Sequence, residues 1–282
     1  MKTILVPTDF SNNAYCAIYY ATQLFAEEKC IFIIVHSFEN QVTKLTSRIN
    51  IVKTESVVDE LYNTYEAKCD EVKHKIILDT ESNLHNYKTI ATSLSLSRAI
   101  NKLITKEKVD FVVMGSKGST GANDILVGSN TLAMIRKIKK APLLVIPQEL
   151  DFKPIKKIAF ATGFKRAYDK NEIQPMTYLS SLCNAIIKVV HVHKKVKMTD
   201  DQLANFNQLF ELLKNSKPEN NSLFRETDIY DTITSYLNKE QIDLLIMIYY
   251  KHNAIVRLFR EATVKDIAKY TLIPFLILPT QD

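Results

Sequence analysis

Residues 111–129 begin with Phe111-Val112-Val113-Met114-Gly115, continue through Gly118 and Gly121, and end with Gly128-Ser129. This stretch contains four of the five glycines in the chain, between an apolar run and a helical pattern that begins at Ser129. Glycine is used where the backbone takes unusual conformations or approaches a ligand closely. A glycine-rich turn that leads into a helix N-terminus can hold phosphate. The stretch therefore predicts a buried strand, a phosphate-binding turn and a helix.

Composition limits the class of protein. The chain has 282 residues, enough for two domains of ordinary size, and its hydrophobic content of 46% is that of a globular protein. We expect no membrane helix, because no apolar run approaches the ~18 residues required, and no signal peptide. The net charge of +6 is modest, and the Lys and Arg residues are interspersed with acids. We therefore expect a cytoplasmic protein that binds neither membranes nor nucleic acid.

The cysteines and histidines do not suggest a metal centre. The four cysteines contain no CxxC pair and are Cys16, Cys30, Cys69 and Cys183. We expect buried free thiols in a reducing compartment rather than a disulfide framework. His191 and His193 share one face of a predicted strand, but no Cys or acidic partner nearby completes a ligand set. The sequence therefore predicts no metal site.

The chain repeats itself once. Four segments of the first half recur in the same order in the second half: 2–10 with 157–164, 31–36 with 186–191, 110–114 with 243–247, and 141–147 with 273–279. Chance could supply one such pair but hardly four. We therefore predict a duplicated domain, with boundaries at 1–148 and 154–282 and a linker between them.

The apolar runs are continuous and rich in β-branched residues, which is typical of parallel strands covered by helices on both faces. The predicted helices of the first half are 12–28, 51–69 with a possible extension to 79, 97–106 and 129–140, and its weakly bounded third strand is 87–93. The predicted strands of the second half are 155–162, 185–191, 223–226, 243–248 and 275–278. The alternation of strands and helices predicts an α/β fold with a parallel sheet in each half.

The glycine spacing resembles a known signature. Gly115-x2-Gly118-x9-Gly128-Ser129 is similar to the ATP-binding motif of the universal stress protein family. Residues 6–11 resemble the first-strand motif of that family, and residues 142–147 resemble its last strand. The resemblance implies two tandem sandwich domains of the adenine nucleotide alpha hydrolase-like type, each with a five-stranded parallel sheet in the order 3-2-1-4-5.

The resemblance also implies a binding site. In open α/β sheets, ligands bind outside the carboxyl ends of the strands where the strand order reverses. The positions that match the family's nucleotide site are Pro7, Thr8, Asp9, Ser37, Met114, Gly115, Gly118, Gly128, Ser129, Asn130 and Thr131. Asp9 would offer its carboxylate to the base or ribose, Ser37 would wall the adenine pocket, and Gly118 would bend around the phosphates. Mg²⁺ could bridge phosphate oxygens, although no dedicated acidic pair is visible.

A ligand is not the only possible reason for these residue types. A tight turn would account for Gly115 and Gly118, a helix cap for Ser129, and a turn for Asp9, all without a ligand. The second half departs from the motif: aligned through the repeat, Asp9 becomes Gly163 and Gly115 becomes residue 248, an isoleucine. We therefore predict that the second domain lacks the nucleotide site.

These observations predict a protein that binds ATP or a related adenine nucleotide at one site and acts in stress response or regulation. Occupancy would order the loop 117–127 and alter association with protein partners that the sequence does not identify. One alternative is an enzyme that uses ATP for adenylyl transfer or hydrolysis, and another is a scaffold without a ligand. The last strands, 143–146 and 275–278, also predict an intramolecular pseudo-dimer or a homodimer.

Overall fold

The computed structural model describes residues 1–46, 54–117, 128–148, 150–193, 197–225, 229–249 and 273–280. The chain divides into two units, Met1–Phe152 and Lys153–Asp282. Within these residues each unit has five parallel strands, and helices lie between successive strands in all of the described connections, so the predicted α/β class is confirmed. Among the described residues, no helix is both long enough and apolar enough to cross a membrane.

The first unit alternates strands and helices. Its elements are β1 (Lys2–Pro7), α1 (Asn12–Leu24), β2 (Cys30–Ser37), α2 (Glu39–Thr46), α3 (Thr54–Thr80), β3 (Asn86–Thr92), α4 (Leu96–Lys106), β4 (Phe111–Gly115), α5 (Ser129–Lys137) and β5 (Leu143–Ile146). Its strands are parallel and lie in the order β3-β2-β1-β4-β5. The expected order 3-2-1-4-5 is therefore confirmed.

Burial explains the composition of these elements. Every residue of β4 and β5 is buried, which accounts for their continuous apolar sequences. Helix α4 has one apolar face, on which Ala99, Ile100, Leu103 and Ile104 are buried. Helix α1 begins where Ser11 caps it, because the side chain of Ser11 accepts a hydrogen bond from the backbone N–H of Ala14 at 3.2 Å.

The second unit repeats this arrangement. Its elements are β6 (Lys157–Ala161), α6 (Lys170–Cys183), β7 (Ile186–His193), α7 (Asp200–Leu213), β8 (Glu219–Phe224), α8 (Ile229–Glu240), β9 (Leu244–Ile248) and β10 (Phe275–Leu278). The strand order within this unit is β8-β7-β6-β9-β10, again parallel and again of the type 3-2-1-4-5.

Helix α1 ends at Leu24 instead of residue 28 and α5 at Lys137 instead of residue 140, and two further elements differ from the sequence-based expectation. Strand β8 occupies Glu219–Phe224 instead of 223–226, because it is the outer strand of its unit and its exposed polar residues hide the apolar signal. Helix α2 was not predicted, since its eight residues are mostly polar. The cysteines are free thiols, of which Cys30 and Cys69 are buried as expected and Cys16 and Cys183 are half-buried. Burial raises the pKa of Cys30 to about 11 and that of Cys69 to about 12.

Candidate functional site

The strand order of the first unit reverses at β1, which pairs with β2 on one side and with β4 on the other. A crevice therefore opens outside the carboxyl ends of β1 and β4, where ligands of open α/β sheets bind. Pro7 ends β1 and Gly115 ends β4. The fold thus brings two predicted motifs to one place, although more than a hundred residues separate them.

The turn after β1 is tightly held. The N–H of Thr8 donates to the carbonyl of Val35 at 2.9 Å. The carboxylate Oδ1 of Asp9 accepts hydrogen bonds from the backbone N–H of Ser11 at 3.1 Å and from its hydroxyl at 2.6 Å. Phe10 has a φ of 65°, which is unusual for a bulky residue. Asp9 therefore shapes the start of α1, while its half-buried carboxylate remains at the rim of the crevice.

A histidine fixes this turn from behind. His36 donates its Nδ1–H to the carbonyl of Thr8 at 2.8 Å, and its ring lies 4.5 Å from the rings of Phe10 and Tyr65, measured between centroids. Burial lowers the pKa of His36 below its usual 6.5, although the Thr8 carbonyl and Asp9 oppose this shift. His36 is therefore neutral at pH 7 and acts as a structural donor.

The structure gives Gly115 a packing role. A Cβ atom at this position would lie 2.7 Å from Nδ2 and 2.9 Å from the backbone oxygen of Asn13, closer than side chains tolerate. The Nδ2 group of Asn13 donates to the carbonyl of Lys117 at 2.7 Å. Helix α1 thus approaches the end of β4 so closely that only glycine fits there. This contact explains Gly115 without requiring a ligand.

Helix α5 is tied to the end of β4. The N–H of Gly128 donates to the carbonyl of Ser116 at 2.8 Å, and the hydroxyl of Thr131 donates to the carbonyl of Gly115 at 3.0 Å. Thr131 is buried, whereas Ser129 and Asn130 are exposed. The hydroxyl of Thr131 is therefore used inside the protein.

Among the described residues, no side chain caps the N-terminus of α5. Gly128 occupies the capping position, and the first turn contains no acidic residue. The first N–H groups of a helix have no partner within the helix, and the helix dipole adds a partial positive charge there. By contrast, Ser11 caps α1. The exposed start of α5 is therefore suited to an anion at the carboxyl end of β4.

Two buried polar atoms flank Gly115 without a hydrogen-bond partner among the described residues. They are Oδ1 of Asn13 and the hydroxyl of Ser116. Buried polar groups are normally satisfied by protein, water or ligand, so these atoms offer a further acceptor and a donor beside the crevice. Sequence reasoning did not select them; the signal was a polar Asn13 on the buried face of α1.

The other predicted site residues are placed as follows. Pro7 and Met114 are buried, and they line the ends of β1 and β4. The hydroxyl of Ser37 donates to the carbonyl of Leu94 at 2.7 Å, so it links the end of β2 to the segment before α4. Gly118 lies outside the described residues. Groups of three or more ligands suited to a metal ion are absent from the described part of the chain.

In the second unit, side chains of α7 bond the turn after β6, while residues 250–272, which match the glycine turn and α5 through the repeat, lie outside the described residues. Gly163 and Ile248 stand at the positions of Asp9 and Gly115, as the strand registers show. From α7, Gln202 donates its Nε2–H to the carbonyl of Gly163 at 2.9 Å. Asn205 from the same helix donates to the next carbonyl, also at 2.9 Å. The carbonyls of Gly163 and Phe164 are therefore satisfied within the protein.

Comparisons with known proteins agree with this architecture. The model of the universal stress protein family matches residues 1–147. Universal stress protein MJ0577 of Methanocaldococcus jannaschii is 27% identical over 162 residues, which cover 52% of this chain and 96% of that protein.

Solved structures extend the likeness to both units. A universal stress protein from Archaeoglobus fulgidus superimposes with a TM-score of 0.64 at 16% identity, covering 98% of each chain. The cytoplasmic domain of a prokaryotic cation chloride cotransporter does so with a TM-score of 0.56 at 10% identity, covering 99% of this chain and 95% of that one. At such identities the likeness concerns the fold alone. With more than half of its residues matched by the family, the chain belongs to the universal stress protein family.

Proposed function

We propose that the first unit binds ATP or a related adenine nucleotide in the crevice between β1 and β4, and that the second unit has no such site. The observation that carries this proposal is the start of α5. No side chain of the described residues caps it, its first turn contains no acid, and it is anchored to the end of β4. An anionic phosphate chain is the natural partner of such a helix end.

The rest of the crevice fits the other parts of a nucleotide. Asp9 supports the adenosine end, where a carboxylate can accept hydrogen bonds from ribose hydroxyls or from an adenine amino group. The Ser116 hydroxyl and Asn13 Oδ1, which have no hydrogen-bond partner in the described part of the chain, offer polar contacts between the two ends. The residues present therefore fit the group that the family membership suggests. A protein-bound Mg²⁺ is not part of the proposal, since the described residues supply no ligand cluster for it.

The biological role we propose is regulation in a stress response. Nucleotide occupancy would change the crevice between the starts of α1 and α5, where Asn13 joins α1 to the carbonyl of Lys117. A change there could be transmitted to the outer surface of the first unit and alter binding of protein partners. This role requires binding and release, not turnover.

Mass analysis of small molecules released from freshly purified protein tests the proposal. We expect an adenine nucleotide in an amount approaching one per chain. A preparation that contains no nucleotide, and that also fails to bind added ATP, would favour a ligand-free scaffold. Conversion of added ATP at a rate clearly above background would favour an enzyme.

A further inference from the structure

The positive charge of the chain is concentrated in one segment. Residues 96–140 contain nine basic and three acidic side chains, so this segment alone has a formal charge of +6, equal to that of the whole chain. The remaining residues are balanced. Charges that look interspersed along the full sequence are therefore unevenly distributed, and α4 and α5 lie in the segment that carries the excess.

Helix α4 presents its cations as a stripe. Arg98, Lys102 and Lys106 are spaced four residues apart, and all three are exposed. Residues at this spacing lie on the same side of a helix and rise by about 6 Å per step. The opposite side of α4 is apolar and buried. The stripe therefore faces solvent as a row of positive charges.

The end of α5 brings a second group of cations to the same place. The side chain of Asn101 donates to the carbonyl of Lys137 at 3.2 Å, and Nζ of Lys137 lies 3.5 Å from the hydroxyl of Ser97. These contacts hold the end of α5 against the first half of α4. Six exposed residues then form what we call the basic face: Arg98, Lys102, Arg136, Lys137, Lys139 and Lys140.

Within the described residues, the acids near the basic face pair with other cations. Glu107 pairs with Lys88 at 3.2 Å and with Lys106 at 3.7 Å, and Asp110 pairs with Lys2 at 2.8 Å. No ion pair within the described residues includes a member of the basic face. The charge there is therefore available to an anionic partner.

The chemistry of the face selects the class of partner. Within the described parts of 96–140, no large apolar or aromatic side chain is exposed. Binding of single-stranded nucleic acid uses exposed aromatic rings for base stacking, and insertion into a membrane uses exposed apolar side chains. A face of cations alone matches a partner recognised only through regularly spaced phosphates.

We propose that the basic face binds the phosphate backbone of double-stranded nucleic acid without sequence preference. The face involves the C-terminal end of α5, whereas the crevice involves its N-terminal end, so this proposal is independent of nucleotide binding. We expected no nucleic-acid partner from the sequence because the charges are interspersed along it. Their assembly on one pair of helices is what changes that expectation.

Salt dependence gives the expected size of the effect. A protein that neutralises Z phosphates of a DNA duplex shows a slope of about −0.9Z in log affinity against log salt concentration. Six contacts predict a slope near −5, and a loss of affinity of about 1,000-fold between 50 and 200 mM salt.

The test is fluorescence anisotropy of the full chain with labelled mixed-sequence DNA and RNA duplexes of about 20 base pairs, a length that spans several phosphates per strand. The test variant is Arg98→Glu, Lys102→Glu, Arg136→Glu. The control variant makes the same change of net charge with exposed residues of the second unit, Lys165→Glu, Lys170→Glu, Lys239→Glu. Thermal melting checks that both variants fold. A second test variant with Gln instead of Glu at the same three positions is used in case the Glu variant does not fold.

We expect binding to duplexes, at least a 100-fold loss in the test variant, and less than a 5-fold change in the control. The Gln variant should reduce the magnitude of the salt slope by about 2–3. Equal binding to DNA and RNA duplexes would show that the face recognises the phosphate backbone common to both. A preference for one duplex would identify that nucleic acid as the partner. Equal losses in test and control variants would overturn the proposal. So would binding only to vesicles of anionic phospholipid, or to an acidic peptide, with no binding to either duplex.

Discussion

The turns after β1 and β6 share one arrangement, a Thr-x-Phe turn held by a histidine, which we call the frame. The polar residues around this frame differ between the two units. In both, a Thr-x-Phe turn has its phenylalanine in the left-handed region, with φ of 65° in the first unit and 53° in the second. In both, a histidine Nδ1 lies within hydrogen-bond distance of the threonine carbonyl, at 2.8 Å for His36 and 3.0 Å for His191. The Phe and His rings pack at 4.5 and 4.9 Å. The frame is therefore a requirement of the fold.

What differs is how the polar groups around the frame are satisfied. In the second unit, Gln202 and Asn205 bond the carbonyls after β6, and Gly163 brings no charge. In the first unit, Asp9 stands at the rim and the buried hydroxyl of Ser116 has no partner within the described residues. The comparison teaches that the repeated motif itself is not evidence for a ligand. The evidence is the pair of buried polar atoms beside Gly115, Asn13 Oδ1 and the Ser116 hydroxyl, which lack a partner within the described residues.

We expect the largest effect on ATP affinity from placing a negative charge at the start of α5, where the second half has a glutamate in its sequence. Ser129 aligns with Glu261 through the repeat, and Ser129→Glu places a carboxylate in the first turn of α5. Two like charges about 4 Å apart repel by roughly 4 kcal/mol near a protein surface. We therefore expect the affinity for ATP to fall by about 100-fold or more, as measured by isothermal titration calorimetry.

The same substitution should leave folding intact or improve it. An acidic residue near a helix N-terminus is stabilising by about 0.3–1 kcal/mol. Ser129→Gln, of similar size without the charge, is the matched control and should keep most of the affinity. A Ser129→Glu protein that binds ATP normally would remove the start of α5 from the site.

The second effect separates packing from binding. Gly115→Ala should lower the free energy of unfolding by about 1–3 kcal/mol, because the added methyl group meets Asn13 at under 3.0 Å. Gly163→Ala is the matched control: its Cβ would meet only the flexible side chain of Lys165, at 3.6 Å or more. We expect that change to be within about 0.5 kcal/mol of the parent. Chemical denaturation measures both, and equal losses would contradict the packing role of Gly115.

The smallest effect concerns pH and should be shared by both units. Burial lowers the pKa of His36 and His191 below 6.5 in the folded state. The unfolded chain then binds more protons as the pH falls below about 6.5, so stability is highest above that pH and decreases toward acid. Each histidine contributes at most about 1.4 kcal/mol per pH unit.

His36→Gln and His191→Gln should each make the free energy of unfolding change less between pH 7.5 and pH 5.5. Urea denaturation at the two pH values measures this change. Because both units have the same contact between a histidine and a threonine carbonyl, we expect both to contribute to the pH dependence. A slope that is unchanged in both variants would show that different titrating groups account for the pH dependence.

The sequence predicted the apolar strands well, because burial on both faces leaves a continuous signal. Strand β4 extends one residue beyond the predicted apolar run, and β10 matches its prediction. Strand β8 and helix α2 were harder to predict from the sequence, because both are largely polar and lack a continuous apolar signal.

The site was predicted in outline, but the reasons for its residues were not. Gly115 is required by Asn13, a contact across 102 positions that no local pattern encodes. The carboxylate of Asp9 holds the start of α1 while standing at the crevice. The hydrogen bonds from α7 to the turn after β6 come from Gln202 and Asn205, which look like ordinary surface residues in the sequence. Gly118 lies outside the described residues, so its predicted role stays a prediction.

The most direct test of the central claim is the stoichiometry of ATP binding to the full-length chain, measured by isothermal titration calorimetry after removal of any retained nucleotide. The helix start suited to an anion lies in the first unit, and α7 bonds the carbonyls of the turn after β6 in the second, so we expect a single site with a stoichiometry near one ATP per chain. Ser129→Glu should abolish that heat signal in the same experiment. Two equivalent sites per chain, or none at all, would contradict the account.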